Sequence, residues 1–156
     1  MGLDMYLNAN RYMSRWFNET DTDKQNAIQI LFPELANLKS RSDDESPVKE
    51  VTIEAAYWRK ANAIHGWFVA NVQKGVDDCG TYYVGREQLE ELKMCCERAL
   101  DDPDNADKDL PTASGFFFGG TQYDEWYFDG LRYTIKAIED ALTLPESWTF
   151  EYHSSW

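Results

Sequence analysis

The residues best suited to chemistry lie in one run, Ala56-Tyr57-Trp58-Arg59-Lys60-Ala61-Asn62-Ala63-Ile64-His65-Gly66-Trp67-Phe68. It gathers two indoles, a phenol, a guanidinium, an ammonium, an amide and one of the two histidines of the chain. Rings stack on flat faces while Arg and Lys pair with phosphate or carboxylate, so the mixture suits gripping a planar, anionic small molecule. On a helix over about 58–73, turning about 100° per residue, Ala61, Ile64, Phe68 and Val72 form an apolar stripe. Trp58, Asn62 and His65 then line the adjoining face with Arg59 beside them, and Lys60 and Trp67 lie on the far side. Half-buried polar groups need partners. Two readings are open: Asn62 and His65 bond to nearby backbone while Arg59 pairs with one of the chain's carboxylates, or the strip faces a ligand.

Other segments add candidates. Asp77-Asp78-Cys79-Gly80 reads as an acidic turn, a holder of Arg59 and Lys60, or a metal-binding pair too small for calcium. The stretch Asp102 to Asp109 resembles a calcium loop but lacks its turn glycine and closing Glu, so it is rejected. Ser114-Gly115-Phe116-Phe117-Phe118-Gly119-Gly120-Thr121 places three rings between glycines. They cannot all enter the core from one extended segment, so at least one, Phe117 for instance, faces the other side or lines a cleft. The following glycines allow close backbone approach, and the helix start beyond them favours anions. For catalysis the material is thin. His65 and His153 lack the paired H-x-[ST] pattern, Ser114 is not in a GxSxG elbow, and no catalytic residue is assigned.

These residues need elements to position them. Alternation of Leu3, Met5 and Leu7 predicts a strand within 3–13. Thr22-Asp23-Lys24-Gln25 is a capping box opening a helix that Pro33 breaks. Residues 39–49 are expected to form a mobile polar loop. Residues 51–57 read as a strand or an extended approach to the 58–73 helix, which Gly75 ends. A short strand at 81–84 precedes a helix over about 86–100 burying Leu89, Leu92, Cys96 and Ala99. An acidic loop spans 101–109. The last helix is capped by Thr121 and buries Tyr127, Leu131, Ile135, Ile138 and Leu142. Pro145 stops it before a strand at 148–152. The expectation is an α+β single compact domain over 1–156, a small mainly antiparallel sheet of three or four short strands with about four helices.

Composition sets outer bounds. The 156 residues, 43% hydrophobic and 15% aromatic, suit one folded domain rather than a disordered chain. No apolar run reaches the roughly 18 residues of a membrane span, and no secretory leader is read at the start. Cys79, Cys95 and Cys96 are odd in number and suit free thiols in a reducing cytoplasm, with no zinc spacing among them. The 15 Lys and Arg against 28 Asp and Glu give a net charge of −13, which opposes direct nucleic-acid binding. That charge serves solubility or, alternatively, mimics nucleic acid toward a basic partner. No cofactor or metal is called for.

The opening Met-Gly-Leu-Asp-Met-Tyr-Leu, the Tyr57–Phe68 run, Val76-Asp77-Asp78-Cys79-Gly80 and Ser114–Gly119 together carry a resemblance. The chain resembles a family of small proteins encoded by bacteriophages and prophages, over most of its length outside 14–49. The resemblance brings no activity, cofactor or site residue. It implies a viral accessory protein in the host bacterial cytoplasm, and by analogy one that counters a host defence pathway. The leading expectation is sequestration of a nucleotide-like anionic signal. Trp58 with Phe117 or Trp67 would stack a base, Arg59, Lys60 and His65 would meet phosphate, and Asn62 and Asp78 would read polar edges. The alternatives are an acidic protein–protein inhibitor or nucleic-acid mimic using 87–109 and 121–129, and a nucleotide hydrolase. Six tryptophans make a homo-oligomer a further expectation.

Overall fold

The computed structural model describes residues 2–14, 19–38 and 47–156. The elements run β1 (Asp4–Tyr12), α1 (Glu19–Leu31), β2 (Glu50–Arg59), α2 (Asn62–Asn71), β3 (Thr81–Val84), α3 (Arg86–Asp101), α4 (Ala106–Asp109), α5 (Glu125–Leu142) and β4 (Thr149–Ser155), with 3-10 turns at Pro33–Asn37 and Pro103–Asn105. The class is α+β, with a four-stranded antiparallel sheet ordered β2-β1-β4-β3. β3 pairs with β4 with Tyr82 opposite Tyr152 and Val84 opposite Phe150. The chain divides into two compact units, Met1–Ala9 with Ile53–Trp156, and Asn10–Thr52. Among the described residues no helix is long and apolar enough to cross a membrane.

In the larger unit the alternation of the strands decides which side is buried. Leu3 just ahead of β1, Met5, Leu7 and Ala9 from β1, Ala56 and Trp58 from β2, and Phe150 and Tyr152 from β4 enter one core. The inner faces of α2, α3 and α5 complete it, with Ile64, Phe68, Leu89, Leu92, Leu131 and Ile138 essentially inaccessible. Phe68 stacks flat on Tyr152, ring centroids 3.9 Å apart. The α3 start is held by Gln88, whose Oε1 accepts from the Gly85 amide at 2.9 Å and whose Nε2 donates to the Asn71 carbonyl at 2.8 Å. Arg86 donates to the carbonyls of Leu142, Leu144 and Pro145, satisfying the open end of α5.

The smaller unit is organised by two buried polar side chains. Asp21 accepts from the Arg11 guanidinium at 2.8 Å and from the Ser14 amide at 3.0 Å. Gln25 donates to the Val48 carbonyl at 3.0 Å. The capping box expected at Thr22 is therefore displaced: α1 already runs from Glu19, and Gln25 is drawn to Val48. Of the polar loop expected at about 39–49, residues 39–46 lie outside the described residues.

Three more expectations are corrected. The helix expected from 58 begins at Asn62, because β2 continues through Tyr57, Trp58 and Arg59, aromatic side chains that suit a pleated surface. Residues 101–109 are not a plain loop but a 3-10 turn followed by α4, with Ala106 buried. The cap of α5 is Asp124, whose carboxylate accepts from the Tyr127 amide at 3.2 Å, and not Thr121. An aspartate is itself a favoured N-cap.

Burial of acids makes the larger unit sensitive to alkali. Burial pushes the Tyr152 and Tyr127 phenols above their ordinary 10.0 and the Cys96 thiol above its ordinary 9.0. A raised acid pKa means the folded chain keeps its proton after the unfolded chain has lost it. The associated stability is full below pH 9.0 and drains as pH rises beyond 9.0 for Cys96 and 10.0 for the tyrosines. The slope approaches about 1.4 kcal/mol per pH unit for a single such group. Urea midpoints at pH 8 and pH 10.5 should therefore differ clearly, the higher pH giving the lower midpoint; equal midpoints would refute this.

Candidate functional site

The sequence candidates separate into two groups. His65 is 1% exposed. Its Nε2 lies 3.0 Å from Asp77 Oδ2 and its Nδ1 lies 2.7 Å from the Tyr152 hydroxyl. The Asp77 carboxylate only accepts, so Nε2 carries a proton toward it. Trp156 donates its indole N–H to the other Asp77 oxygen at 3.1 Å, and Phe118 packs edge-on to the imidazole. This is a closed internal network, and His65 offers no ring nitrogen to a ligand. His153 lies on the opposite face of β4 from Tyr152, stacked on Tyr6, so the two histidines do not form an acid–base pair.

Asn62 is equally committed. Its Nδ2 donates to the carbonyls of Phe118 at 3.1 Å and Gly120 at 2.8 Å, and its Oδ1 accepts from the Ala113 amide at 3.0 Å. It clips the 112–122 loop to the start of α2. Asp78 accepts from the Gly80 amide and the Tyr82 hydroxyl, each within 3.0 Å, and holds its own turn. Trp67 is buried, because α2 packs on nearly all sides and has no polar far face. Phe117 sits in a turn, not a strand, half-buried against the ring of Phe116, which is 95% exposed. The expected helical strip Trp58-Arg59-Asn62-His65 thus does not exist. Trp58 and Arg59 end a strand, and His65, Trp67, Asp78 and Phe117 lie away from the cleft described next.

Trp58, Arg59, Lys60 and Asn62 do share a cavity, a half-open cleft of about 630 Å³ in the larger unit. One wall is the end of edge strand β2 and the start of α2; another is the first half of α5; the 112–122 loop closes an end. The floor is apolar, with Ala63, Ile64 and Leu131, and Trp58 donates its indole N–H to Thr134 Oγ1 at 2.9 Å. Residues Trp126, Asp129, Gly130 and Tyr133 recur at three, four and seven positions, one face of α5, and all four line the cleft. Trp126 is 86% exposed, and the Tyr133 hydroxyl accepts from the Tyr57 amide at 3.2 Å. The α5 face carries the signal missed in the sequence: two rings seven apart with a glycine between them, on the side of the helix away from its apolar stripe.

The cations sit at the lip. Lys60 takes a left-handed backbone, φ 58°, fixed by its amide donating to the Leu3 carbonyl at 2.7 Å. Its stem passes between two glycines. A Cβ added to Gly119 would lie 3.1 Å from Lys60 Cβ, and one added to Gly2 would lie 3.3 Å from Lys60 Cε. The same point at Gly2 is 3.8 Å from Arg59 Nη2, so the two positive side chains converge there. Among the described residues Lys60 has no ion-pair partner, and Arg59 has a loose one, its Nε 3.9 Å from Asp4 Oδ1. Asp4 is also the acceptor of the Tyr57 hydroxyl, a bond that raises the Tyr57 pKa. By contrast Lys93, Arg98 and Arg132 are each held by carboxylates of α3, α4 or α5.

Gly119 is required twice, by its φ of 90° and by its approach to Lys60. Gly119→Ala should cost about 1–3 kcal/mol in urea unfolding, from strain that a side chain brings to such a backbone. An unchanged midpoint would show that the loop and Lys60 relax freely.

Among the described residues no cluster of three or more His, Cys, Asp or Glu is arranged to hold a metal ion. Cys95 and Cys96 are buried and Cys79 is exposed, all three as free thiols. Comparison of the chain with models of known families, with curated proteins and with solved structures finds no match.

Proposed function

We propose that this protein binds, without turning it over, a small, planar, anionic molecule of nucleotide type in the cleft between β2 and α5. One observation carries the reading: Arg59 and Lys60, exposed cations with at most a loose ion pair among the described residues, line a cleft whose floor is apolar and whose α5 wall presents Trp126 and Tyr133. Cavities of this size enclose most of a small ligand's surface, with a few polar groups fixing its orientation. The rings offer faces for a base, and the paired cations a place for phosphate. A local positive lip inside a chain of net charge −13 favours a short anion over a long polyanion, whose repulsion by the remaining surface grows with length. The resemblance to phage-encoded proteins supplies the setting, sequestration of a nucleotide-derived signal of a host defence pathway in the bacterial cytoplasm.

Calorimetric titration with adenine- and guanine-derived mononucleotides, cyclic nucleotides and ADP-ribose conjugates tests this. At least one should bind, be recovered intact, and lose about tenfold or more in affinity in Arg59→Ala and in Lys60→Ala. No binder in the panel, or full affinity in both variants, overturns it. Hydrolysis of the bound molecule would favour the nucleotide-hydrolase reading instead.

A second reading has one observation in its favour. Glu87, Glu90, Glu91, Asp101, Asp102, Asp104 and Asp107 are exposed along α3 and the segment after it, while Lys93 and Arg98 there are already paired. Such a face suits a basic protein partner, with association that weakens steeply as salt rises and ignores changes at Arg59.

A further inference from the structure

We infer that α1 and the turn after it form the contact face of a symmetric dimer, each copy covering the other's Ile30, Leu31, Phe32 and Leu38. The inference is independent of the cleft and concerns the smaller unit alone. An ordinary surface helix turns an apolar stripe inward and polar groups outward. α1 does the reverse. It buries the polar Asp21 and Gln25, one turn apart. Ile30 follows Asp21 by two and a half turns, so it stands on the opposite side of the helix, and it is 77% exposed. Leu31 beside it is 72% exposed, and Ala27, one turn before both, is exposed as well. The Phe32, Leu35 and Leu38 amides donate in turn to the Ile28, Phe32 and Leu35 carbonyls, each at 3.0 Å, which winds the 3-10 turn onto the end of α1. Phe32 and Leu38 are held there with more than half of their surface open.

Area and charge point to a second copy as the occupant. A large apolar side chain presents roughly 200 Å² when free, so these four leave on the order of 500 Å² uncovered, a patch of the size that marks an interaction site. Two such patches face to face bury about 1,000 Å² together, the lower bound for a specific interface. The stretch from Ala27 to Leu38 holds one charged residue, Glu34, in a chain of net charge −13. Copies this acidic repel one another, and a neutral apolar face lets them meet without opposing carboxylates. A basic protein is steered by carboxylates and finds few here. An isologous pair needs only this one patch, because the same surface serves both copies.

Sedimentation equilibrium of the full chain from about 1 to 200 µM tests this. The expected result is a monomer–dimer equilibrium with a Kd on the order of ten micromolar, as suits a contact at the small end of the range. Raising salt should tighten it severalfold by screening the mutual repulsion, the opposite of binding through an acidic face. Ile30→Glu and Ile30→Lys should each weaken association at least about tenfold. Both should keep the wild-type helical signal and unfolding midpoint at about 1 µM, since surface changes rarely alter stability. Equimolar mixing of the two variants should regain at least about tenfold over either alone, because opposite charges then meet across the two-fold axis. A wild type that stays monomeric at about 200 µM overturns the dimer and leaves the stripe to a different partner. An unchanged Kd in Ile30→Glu places the contact elsewhere and overturns it too. Loss in both variants without recovery on mixing does the same, since it denies the two-fold contact.

Discussion

Gly130→Trp should fold like the wild type and bind ligand at least about a hundredfold more weakly. A Cβ built on Gly130 meets no atom within 4 Å, yet the residue lies in the interior of α5 and lines the cleft. The first atom of a side chain there meets open space, and a large one grows from it into the cleft. Helix propensity runs in the same direction, since Gly in a helix interior is less stable than Ala by roughly 0.5–1 kcal/mol and Trp also outranks Gly. Gly130→Ala is the matched control, with a slightly raised unfolding midpoint and affinity reduced only modestly. The backbone bond that Thr134 makes to the Gly130 carbonyl is untouched by either change. Calorimetry alongside thermal unfolding separates the outcomes. A tryptophan variant that binds at wild-type affinity would place the ligand elsewhere.

The largest loss of stability is expected at Asn62. Asn62→Ala strips partners from the Phe118 and Gly120 carbonyls and the Ala113 amide together. These groups are only part-buried, Gly120 being exposed, so water replaces part of what is lost; at roughly 0.5–1.5 kcal/mol for each bond the loss should be about 2–3 kcal/mol. The effect is not only global. The same clip holds the loop that closes an end of the cleft and brings Gly119 against Lys60, so hydrogen exchange at 112–120 should accelerate beyond what the overall destabilisation explains. A loss below about 0.5 kcal/mol, within the range of ordinary surface changes, would show that the loop is held by other contacts.

Much of the fold is legible in local patterns. The alternation of Leu3, Met5 and Leu7 fixes which side of β1 is buried, and all three are fully inaccessible. The three-four spacing of Leu89, Leu92, Cys96 and Ala99 gives the inner face of α3 for the same reason. The boundary at Lys60 was not legible. Left-handed turns usually announce themselves with Gly or Asn, and here a lysine takes that backbone because the Leu3 carbonyl and two glycines distant in sequence hold it there. Moving the helix start from 58 to 62 separates Trp58 and Arg59 from His65 and dissolves the strip that spacing alone suggested.

The site was half legible for a related reason. Residue type identified Asn62, His65 and Asp78 as groups needing partners, but type does not say who supplies them. The partners of Asn62 and His65 come from the 113–120 loop, Asp77 and β4, and those contacts exist only after folding. Arg59 and Lys60 stand out by the opposite test, as exposed cations left at most loosely paired in a strongly acidic chain. Their cleft was hidden because its second wall is the exposed side of α5, where Trp126, Asp129, Gly130 and Tyr133 share a face that apolar-stripe reasoning passes over.

The central claim is that ligand enters the cleft between β2 and α5. Amide chemical-shift mapping of the labelled protein during titration with the tightest binder of the nucleotide panel tests it most directly. The predicted shifts centre on residues 57–64, 119–122 and 124–133, saturate with added ligand, and vanish in Gly130→Trp. Saturable shifts confined instead to the acidic α3–α4 face, or no shifts at millimolar ligand, would contradict the account.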